Sequence, residues 1–305
     1  MKNAQLQFSK IKKKYLNFLK KQEIKGEPFY EKINQLKNFY IPICNSLYKA
    51  HILKKKTLIV GLSGGQGAGK TTIAKIIKII LKTHYGLNII NFSIDDFYKT
   101  RDERRKMSLK THKLFLTRGV PGTHDTDLLK NCFKSLKRKK FRPFYLPKFN
   151  KSYDDRYKKS QWIKIKAKPD IAIFEGWCVG ANNQTSHILK KPINSLEKKN
   201  DKDLIWRKKV NDELKNKYKK IFKVIDKLIF IAVPSFKYVY KWRLLQEKKL
   251  KLSSKGKKIM SGVEIKKFIM FYERITKHML KELKLSADVI LRLDKKHRLY
   301  DIRFK

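Results

Sequence analysis

The sequence predicts an α/β fold with a mainly parallel central sheet flanked by helices, on three observations. Short runs rich in Ile, Val and Leu, which read as buried strands, recur at 57–60, 88–93, 170–174, 227–233 and 288–293. Between them lie stretches with apolar residues at helical spacing, the alternation that builds parallel sheets. The first run leads directly into Gly61-Leu-Ser-Gly-Gly-Gln-Gly-Ala-Gly-Lys-Thr-Thr72, a complete G-x-x-x-x-G-K-T at the start of a helical pattern. About five strands are expected in a P-loop NTPase arrangement, with a helical extension over residues 1–55 ahead of a domain over 56–305.

The Gly-rich run reads as a phosphate-binding loop. Gly64, Gly65, Gly67 and Gly69, with Gln66 and Ala68 between them, let the backbone curl until successive N–H groups face phosphate oxygens, and the following helix adds the positive end of its dipole. Lys70 reaches the β- and γ-phosphates, Thr71 offers a hydroxyl to a magnesium ion bridging them, and Thr72 completes the binding segment. A Gly-rich stretch alone can be a plain turn, but Lys-Thr at a helix start behind a buried strand points to a nucleoside triphosphate.

Charge is the unusual feature of the composition. Lys and Arg number 76 against 26 Asp and Glu, a net charge of +50 over 305 residues. Such a balance suits nucleic acid or an anionic membrane surface. The lysines are nonetheless spread along the whole chain among many Ile and Asn residues, as a genome-wide base bias produces, so the expectation is a solvated Lys-rich surface with no specific nucleic-acid partner. Cys44, Cys132 and Cys178 are odd in number and lack C-x-x-C spacing, which argues against a disulfide framework or zinc site and for a reducing compartment. No apolar run has signal-peptide character or approaches the roughly 20 residues of a membrane span, so a cytoplasmic protein acting away from membranes is expected. Nothing in the pattern fixes the oligomeric state.

In chain order, helical patterns over 6–20 and 29–50 flank the turn-like Lys25-Gly-Glu-Pro28, and Lys12, Lys13 and Lys14 suit a partly mobile arm. After the loop helix, Gly86 closes the element and strand 88–93 ends in Ile94-Asp-Asp-Phe-Tyr98. Acidic pairs are commonly solvated turn residues, but ligands of such sheets gather beyond the carboxyl ends of strands, which puts Asp95 and Asp96 near the γ-phosphate. Asp95 is suited to accept the proton of an attacking hydroxyl and to stand beside the metal, Asp96 to touch the substrate or orient metal-bound water. Next, Arg118-Gly-Val-Pro-Gly-Thr-His-Asp125 combines a Gly-Pro turn with donors from Arg118, Thr123 and His124 for an anionic or hydroxylated ligand. Thr123 or Asp125 can cap a helix over 128–136. Residues 141–162 form an aromatic-rich wall over the substrate site, with Lys148 among its contacts. Those rings could also stack on bases, although no RNP-like or OB-like pattern accompanies them.

Strand 170–174 ends in Glu175, placed like a Walker-B acid that holds magnesium through water, and Gly176 turns the chain away. The Asn/Lys-rich stretch 182–203 reads as a long surface loop and 206–222 as a helix. Beyond strand 227–233, a basic helix over 236–250 and a long helix to 285, opened by the capping box Ser261-Gly-Val-Glu264, are joined by a flexible hinge over 253–262. This pair, about 236–285, makes a lid that closes Arg243 onto the phosphates. Strand 288–293 ends in a polar turn over 294–297.

Taken together, Gly64-Gly-Gln-Gly-Ala-Gly-Lys-Thr-Thr72, Ser93-Ile-Asp-Asp-Phe-Tyr98, Arg118 to Asp125, Leu146-Pro-Lys-Phe-Asn-Lys-Ser152, Phe174-Glu-Gly-Trp177 and Tyr240-Lys-Trp-Arg-Leu-Leu-Gln-Glu247 resemble the motifs of the glycerate 3-kinase family. That family is a branch of the P-loop kinases related to phosphoribulokinase, uridine kinase and pantothenate kinase. The first motif is shared by many NTPases; the combination of the second, third and fifth is narrower. The resemblance runs from about residue 58 to the C-terminus and implies phosphorylation of D-glycerate to 3-phosphoglycerate with ATP and Mg2+, Asp95 standing in the general base's place. Residues 141–162 depart most from the pattern, and 182–203 is drawn out. Two other readings stay open: a P-loop kinase for another alcohol such as a nucleoside, pantothenate or ribulose phosphate, and a nucleic-acid-associated P-loop ATPase, which needs a contiguous basic face.

Overall fold

The computed structural model describes residues 2–23, 28–253 and 260–305. Helices over Lys2–Lys20 (α1) and Ile41–Lys54 (α2), the second preceded by a π-helical turn at Leu36–Tyr40, lie ahead of the sheet. Then follow β1 (Leu58–Gly64), α3 (Lys70–Tyr85), β2 (Ile89–Ser93), α4 (Arg101–Lys110), α5 (Thr126–Lys137), β3 (Ile171–Gly176), α6 (Ile205–Glu213), β4 (Lys227–Ala232), α7 (Phe236–Ser253), α8 (Gly262–Ser286), β5 (Val289–Leu293) and β6 (Leu299–Phe304).

The central sheet has the order β6-β5-β4-β1-β3-β2, parallel throughout except for β6, which runs antiparallel to β5. All seven residues of β1 are buried, because helices cover both faces and leave no solvent side for polar alternation. Successive residues of β1 serve opposite layers. Ile59 joins one core with Phe92, Phe174 and Phe230 beneath α5 and α8; Val60 and Leu62 join the other with Ile73, Ile77 and Ile80 of α3. The second core also takes in Ile11, Tyr15 and Leu19 of α1, so the segment before β1 packs on the same apolar layer as the sheet.

Register places the functional ends side by side. Glu175 on β3 lies between Leu62 of β1 and Ser93 of β2, so the phosphate loop leaving β1 and the acidic turn leaving β2 flank one carboxylate. The fold class agrees with the sequence expectation, with a sixth, antiparallel strand at the edge added to the five.

Two local expectations need correction. Lys12, Lys13 and Lys14 lie within α1, held by the buried Ile11 and Tyr15 on either side of them. The stretch 182–203 is no open loop: it forms short helices at Ser186–Lys190 and Ser195–Asn200, tied down where buried Glu197 pairs with Arg274 at 2.6 Å and buried Asp201 with Arg207 at 2.7 Å. Residues 141–162 contribute Phe144–Leu146, paired with Ile163–Ile165, and the tight hairpin of Phe149–Asn150 with Asp155–Arg156. The turn at 25–28 and the hinge at 253–262 fall largely outside the described residues. The capping box at Ser261 and Glu264 forms as expected.

Candidate active site

The phosphate loop closes a turn between β1 and α3 in which Gly67 and Gly69 take left-handed backbone angles, φ 76° and 83°. Gly67 has a second reason to lack a side chain: an added Cβ would lie 2.9 Å from the backbone carbon of Trp242, so α7 rests directly on the loop. Lys70 curls back, its Nζ donating to the carbonyls of Gly64 and Gly65 at 2.9 Å each. Burial lowers its pKa, while the charges of Glu175 and Asp95 work in the opposite direction. Both polar atoms of the Gln66 side chain are buried without a protein partner. Ala68 is buried beside it, and Thr71 and Thr72 open the first turn of α3.

Thr71 donates its hydroxyl to Glu175 Oε1 at 2.8 Å. Glu175 Oε2 is buried and has no partner, and burial raises this carboxyl's pKa against the opposing pull of Thr71 and Lys70. A hydroxyl and an unsatisfied carboxylate oxygen beside a ring of loop amides fit a magnesium ion that arrives with phosphate oxygens. Among the described residues no group of three or more His, Cys, Asp or Glu is arranged to hold a metal by itself. A metal here therefore needs the phosphates to complete its shell.

The turn after β2 is a single 3-10 turn, Ile94–Phe97, opened by a capping box. Its two acids have different surroundings. Asp95 Oδ1 accepts from the Tyr98 hydroxyl at 2.9 Å, and Oδ2 is paired with Lys151 at 2.7 Å. Burial works against its ionisation, yet the Lys151 ammonium and the Tyr98 hydrogen bond win and hold the carboxyl well below the usual range. Asp96 accepts from the backbone N–H of Ser93 at 3.3 Å and of Phe149 at 3.5 Å, joining the turn to the 149–156 hairpin. Both Asp96 oxygens thus face backbone donors, which makes it a capping and tethering residue in this arrangement.

Arg118 pairs with Asp154 and lies 5.5 Å over the Phe149 ring, on the same side as Lys151, whose charge it influences. Thr123 is fully buried and accepts from Gly119 N–H at 3.0 Å while donating to the Val120 carbonyl at 2.7 Å, so it holds the turn together. His124, 1 % exposed, stacks on Tyr98 at 4.5 Å and places Nδ1 2.6 Å from the Tyr218 hydroxyl. That same hydroxyl oxygen also accepts from the Gly122 N–H at 3.1 Å, so the ring and the turn share one phenol. Burial pushes the His124 pKa down to about 3, so the ring is neutral at ordinary pH and acts as a spacer behind Tyr98. Asp125 caps α5 through Leu128 N–H. Lys148 is exposed and lies 5.6 Å over the Tyr157 ring. Arg243 pairs with Glu247 along its own helix and covers the Phe268 ring at 5.7 Å, while its backbone N lies 3.1 Å from where a Cβ on Gly67 would be.

The structure therefore brings Lys70, Thr71, Asp95 and Glu175 together and sets Arg118 beside them through Lys151. Lys148 lies over the Tyr157 ring and the Arg243 guanidinium is paired with Glu247. Sequence reasoning did not single out Lys151, Tyr98 or Tyr218. Lys151 carried a visible signal, since it lies within the Leu146 to Ser152 motif, but its partner lies 56 positions away.

Comparison with known proteins agrees with this geometry. Residues 59–241 match the model of the phosphoribulokinase/uridine kinase family. An uncharacterised kinase of Schizosaccharomyces pombe is 35% identical over 225 residues, covering 71% of this chain and 79% of that protein. A chloroplastic D-glycerate 3-kinase of Arabidopsis thaliana is 28% identical over 255 residues, 78% of this chain and about half, 53%, of the plant protein. The solved D-glycerate 3-kinase of Cryptococcus neoformans var. grubii superposes with a TM-score of 0.69 at 26% identity, covering 82% of this chain and 90% of that one. With its phosphate loop, strand-end acids and sheet order in place, the chain belongs to the phosphoribulokinase/uridine kinase family and is a P-loop kinase.

Proposed function

We propose that this kinase transfers the γ-phosphoryl group of ATP to a hydroxyl of D-glycerate, giving 3-phosphoglycerate. The observation that carries the reading is the Asp95 carboxylate at the end of β2, oriented by Tyr98 and paired with Lys151 beside the Thr71–Glu175 contact. The Gly67–Thr71 amides and Lys70 bind the donor's phosphates. Thr71, Glu175 and Asp95 would hold a magnesium ion, which would supply neutralisation of the charge on the donor's phosphates.

Asp95 receives the acceptor hydroxyl's proton. Its depressed pKa makes it a weak base while Lys151 is attached, so the acceptor's arrival has to draw Lys151 away. Lys151 and Arg118 are cations suited to a substrate carboxylate, and this favours an acid alcohol over a neutral nucleoside. Similarity to the plant and fungal D-glycerate 3-kinases supports the same acceptor. Three buried, unpaired cysteines suit a cytoplasmic setting. Among the described residues no helix is long and apolar enough to cross a membrane.

The test is a panel of acceptors with ATP and magnesium: D-glycerate, uridine, pantothenate and ribulose 5-phosphate. D-glycerate should turn over with the highest kcat/KM. Faster turnover of any other acceptor rejects the glycerate assignment, and ATP hydrolysis stimulated only by DNA rejects small-molecule phosphorylation altogether.

A further inference from the structure

A cavity of roughly 440 Å³ lies at the end of the sheet opposite the phosphate loop. Thr57 and Lys168, which line it, stand just before β1 and β3, whereas the loop and Glu175 stand at the far ends of the same strands, about 20 Å away along the sheet. Its walls come from three segments: Lys55 and Lys56 after α2, Lys137, Arg138 and Lys139 at the end of α5, and Lys168. Among the described residues no carboxylate lines it, and its one apolar side chain is the buried Leu136.

Helix ends alone do not account for so many cations. The C-termini of α2 and α5 meet here, each carrying about half an elementary negative charge that a basic side chain can offset. The acids that frame this end of the sheet are already engaged. Asp226 pairs with Lys54 and accepts from Ile59 N–H at 2.8 Å, and Asp170 accepts from Asn88 N–H at 2.7 Å. Among the described residues no carboxylate pairs with any of the cations that form the three walls. The backbone is held where they converge. Buried Thr57 donates its hydroxyl to the Pro169 carbonyl at 2.7 Å, and Asn88 Nδ2 donates to the Lys168 carbonyl at 3.0 Å, which ties the approach to β3 to its neighbours β1 and β2. Lys55 sits at φ 54°, a left-handed cap position that glycine fills without strain. A lysine there costs stability, and among the described residues it makes no ion pair in return.

Unpaired cations that converge on a concavity raise the local potential above that of lysines scattered over a convex surface. The volume is that of a small-molecule site, yet the apolar lining that usually holds such a ligand is missing, so the occupant is charged on every side. We propose that the cavity binds a compact polyphosphate, a small molecule carrying several phosphate groups on one frame, at a site separate from the donor nucleotide's. Each lysine offers ammonium hydrogens to phosphate oxygens, and Arg138 can engage two oxygens at once. A nucleic-acid strand spaces its phosphates along a line and is met by an extended stripe of charge, whereas these three segments close on a single hollow. The site stands whichever alcohol the kinase phosphorylates.

The test is titration calorimetry of the full chain with inositol hexakisphosphate at physiological ionic strength, the phosphate loop being filled beforehand with magnesium and the non-hydrolysable β,γ-imido analogue of ATP. Wild-type protein should bind one hexakisphosphate per chain. Lys137→Gln with Lys139→Gln, both exposed, should weaken it by at least about tenfold, the loss of two charged contacts. Lys12→Gln with Lys13→Gln removes the same charge from the exposed side of α1 and should stay within about twofold of wild type. Lys55→Gly should also lose affinity while its Tm holds or rises, because the left-handed position is relieved. A single-stranded RNA of 16 nucleotides should bind the wild type and the Lys137/Lys139 variant alike. Equal losses in the two double variants reduce the site to diffuse surface charge and overturn the proposal, as does a wild type that binds no hexakisphosphate or cavity variants that bind it undiminished. RNA binding that needs Lys137 and Lys139 and is not displaced by hexakisphosphate overturns it in favour of a nucleic-acid surface.

Discussion

Exchanging each adjacent acid of the β2 turn for its amide should separate rate from stability. Asp95→Asn keeps a carbonyl oxygen for the Tyr98 hydroxyl but cannot take a proton, so kcat should fall by about 10²–10⁴-fold. The cost in stability should be under about 1 kcal/mol, since the Lys151 side chain is 62 % exposed and water can take over its charge. ATP affinity should hold, because the loop, Lys70 and Thr71 are untouched. Asp96→Asn has the opposite profile. One of its two oxygens becomes an NH2 facing a backbone N–H, either Ser93 or Phe149, so a hydrogen bond is lost and a donor is set against a donor. That should cost about 1–2 kcal/mol of stability, with kcat within about tenfold of wild type. Urea titration and steady-state kinetics with D-glycerate, run side by side on both variants, give the four numbers. If Asp96→Asn melts normally and loses more rate than Asp95→Asn, the assignment of the base fails, and the roles of the two acids must be exchanged.

Other perturbations address the loop, the buried imidazole and the turn. Lys70→Met removes the ammonium meant for the transferred phosphoryl group, so turnover should drop on the order of a thousandfold; near-normal activity in a folded variant would sink the assignment of the loop. His124 has its pKa pushed from 6.5 to about 3 by burial, so between those values the unfolded chain binds a proton that the folded chain refuses. Its contribution is fully present above about pH 6.5 and is lost as pH falls, so Tm should decline on acidification more steeply in wild type than in His124→Gln; parallel curves would uncouple the ring from stability. Gly119→Ala puts a Cβ 2.2 Å from the Tyr272 hydroxyl on a backbone at φ 139°, and should lower stability by about 2–4 kcal/mol in urea. An unchanged midpoint would mean that the turn relaxes freely.

The parts of the fold legible in the sequence are those whose cause is local. The inner strands announce themselves because strands buried on both faces are apolar nearly throughout, as Ile171 to Phe174 and Ile229 to Ala232 are. The capping box at Ser261 is equally local, its partners being three positions apart. Strand β6 carries only a weak pattern, because it pairs on one side alone, is half exposed and shifts register between Leu299 and Asp301. The stretch 182–203 looks polar for a reason composition cannot reveal. Glu197 and Asp201 are charged residues taken into the interior by Arg274 and Arg207, one of them 77 positions away. The same limit applies at the site. Glycines, Lys70 and the strand-end acids show their purpose by spacing, whereas Lys151 acquires its own only when the 149–156 hairpin brings it to Asp95.

Gln35 Nε2 donates to the Leu299 carbonyl and Leu299 N–H donates back to Gln35 Oε1, a contact that spans 264 positions and has a consequence for biosynthesis. Gln35 is made early and its partner nearly last, an interval of roughly 15 to 50 s at about 5–20 residues per second. During that interval β1 and the phosphate loop are already outside the ribosome, while α1 and α2 lack the β5–β6 turn they close against. The apolar face of α1 that carries Ile11, Tyr15 and Leu19 has α3 to rest on, but the buried Gln35 amide has no partner until residue 299 arrives. A nascent chain stalled before residue 299 should therefore protect α1 from protease and yet leave the stretch around Gln35 more open to cleavage than the released protein does.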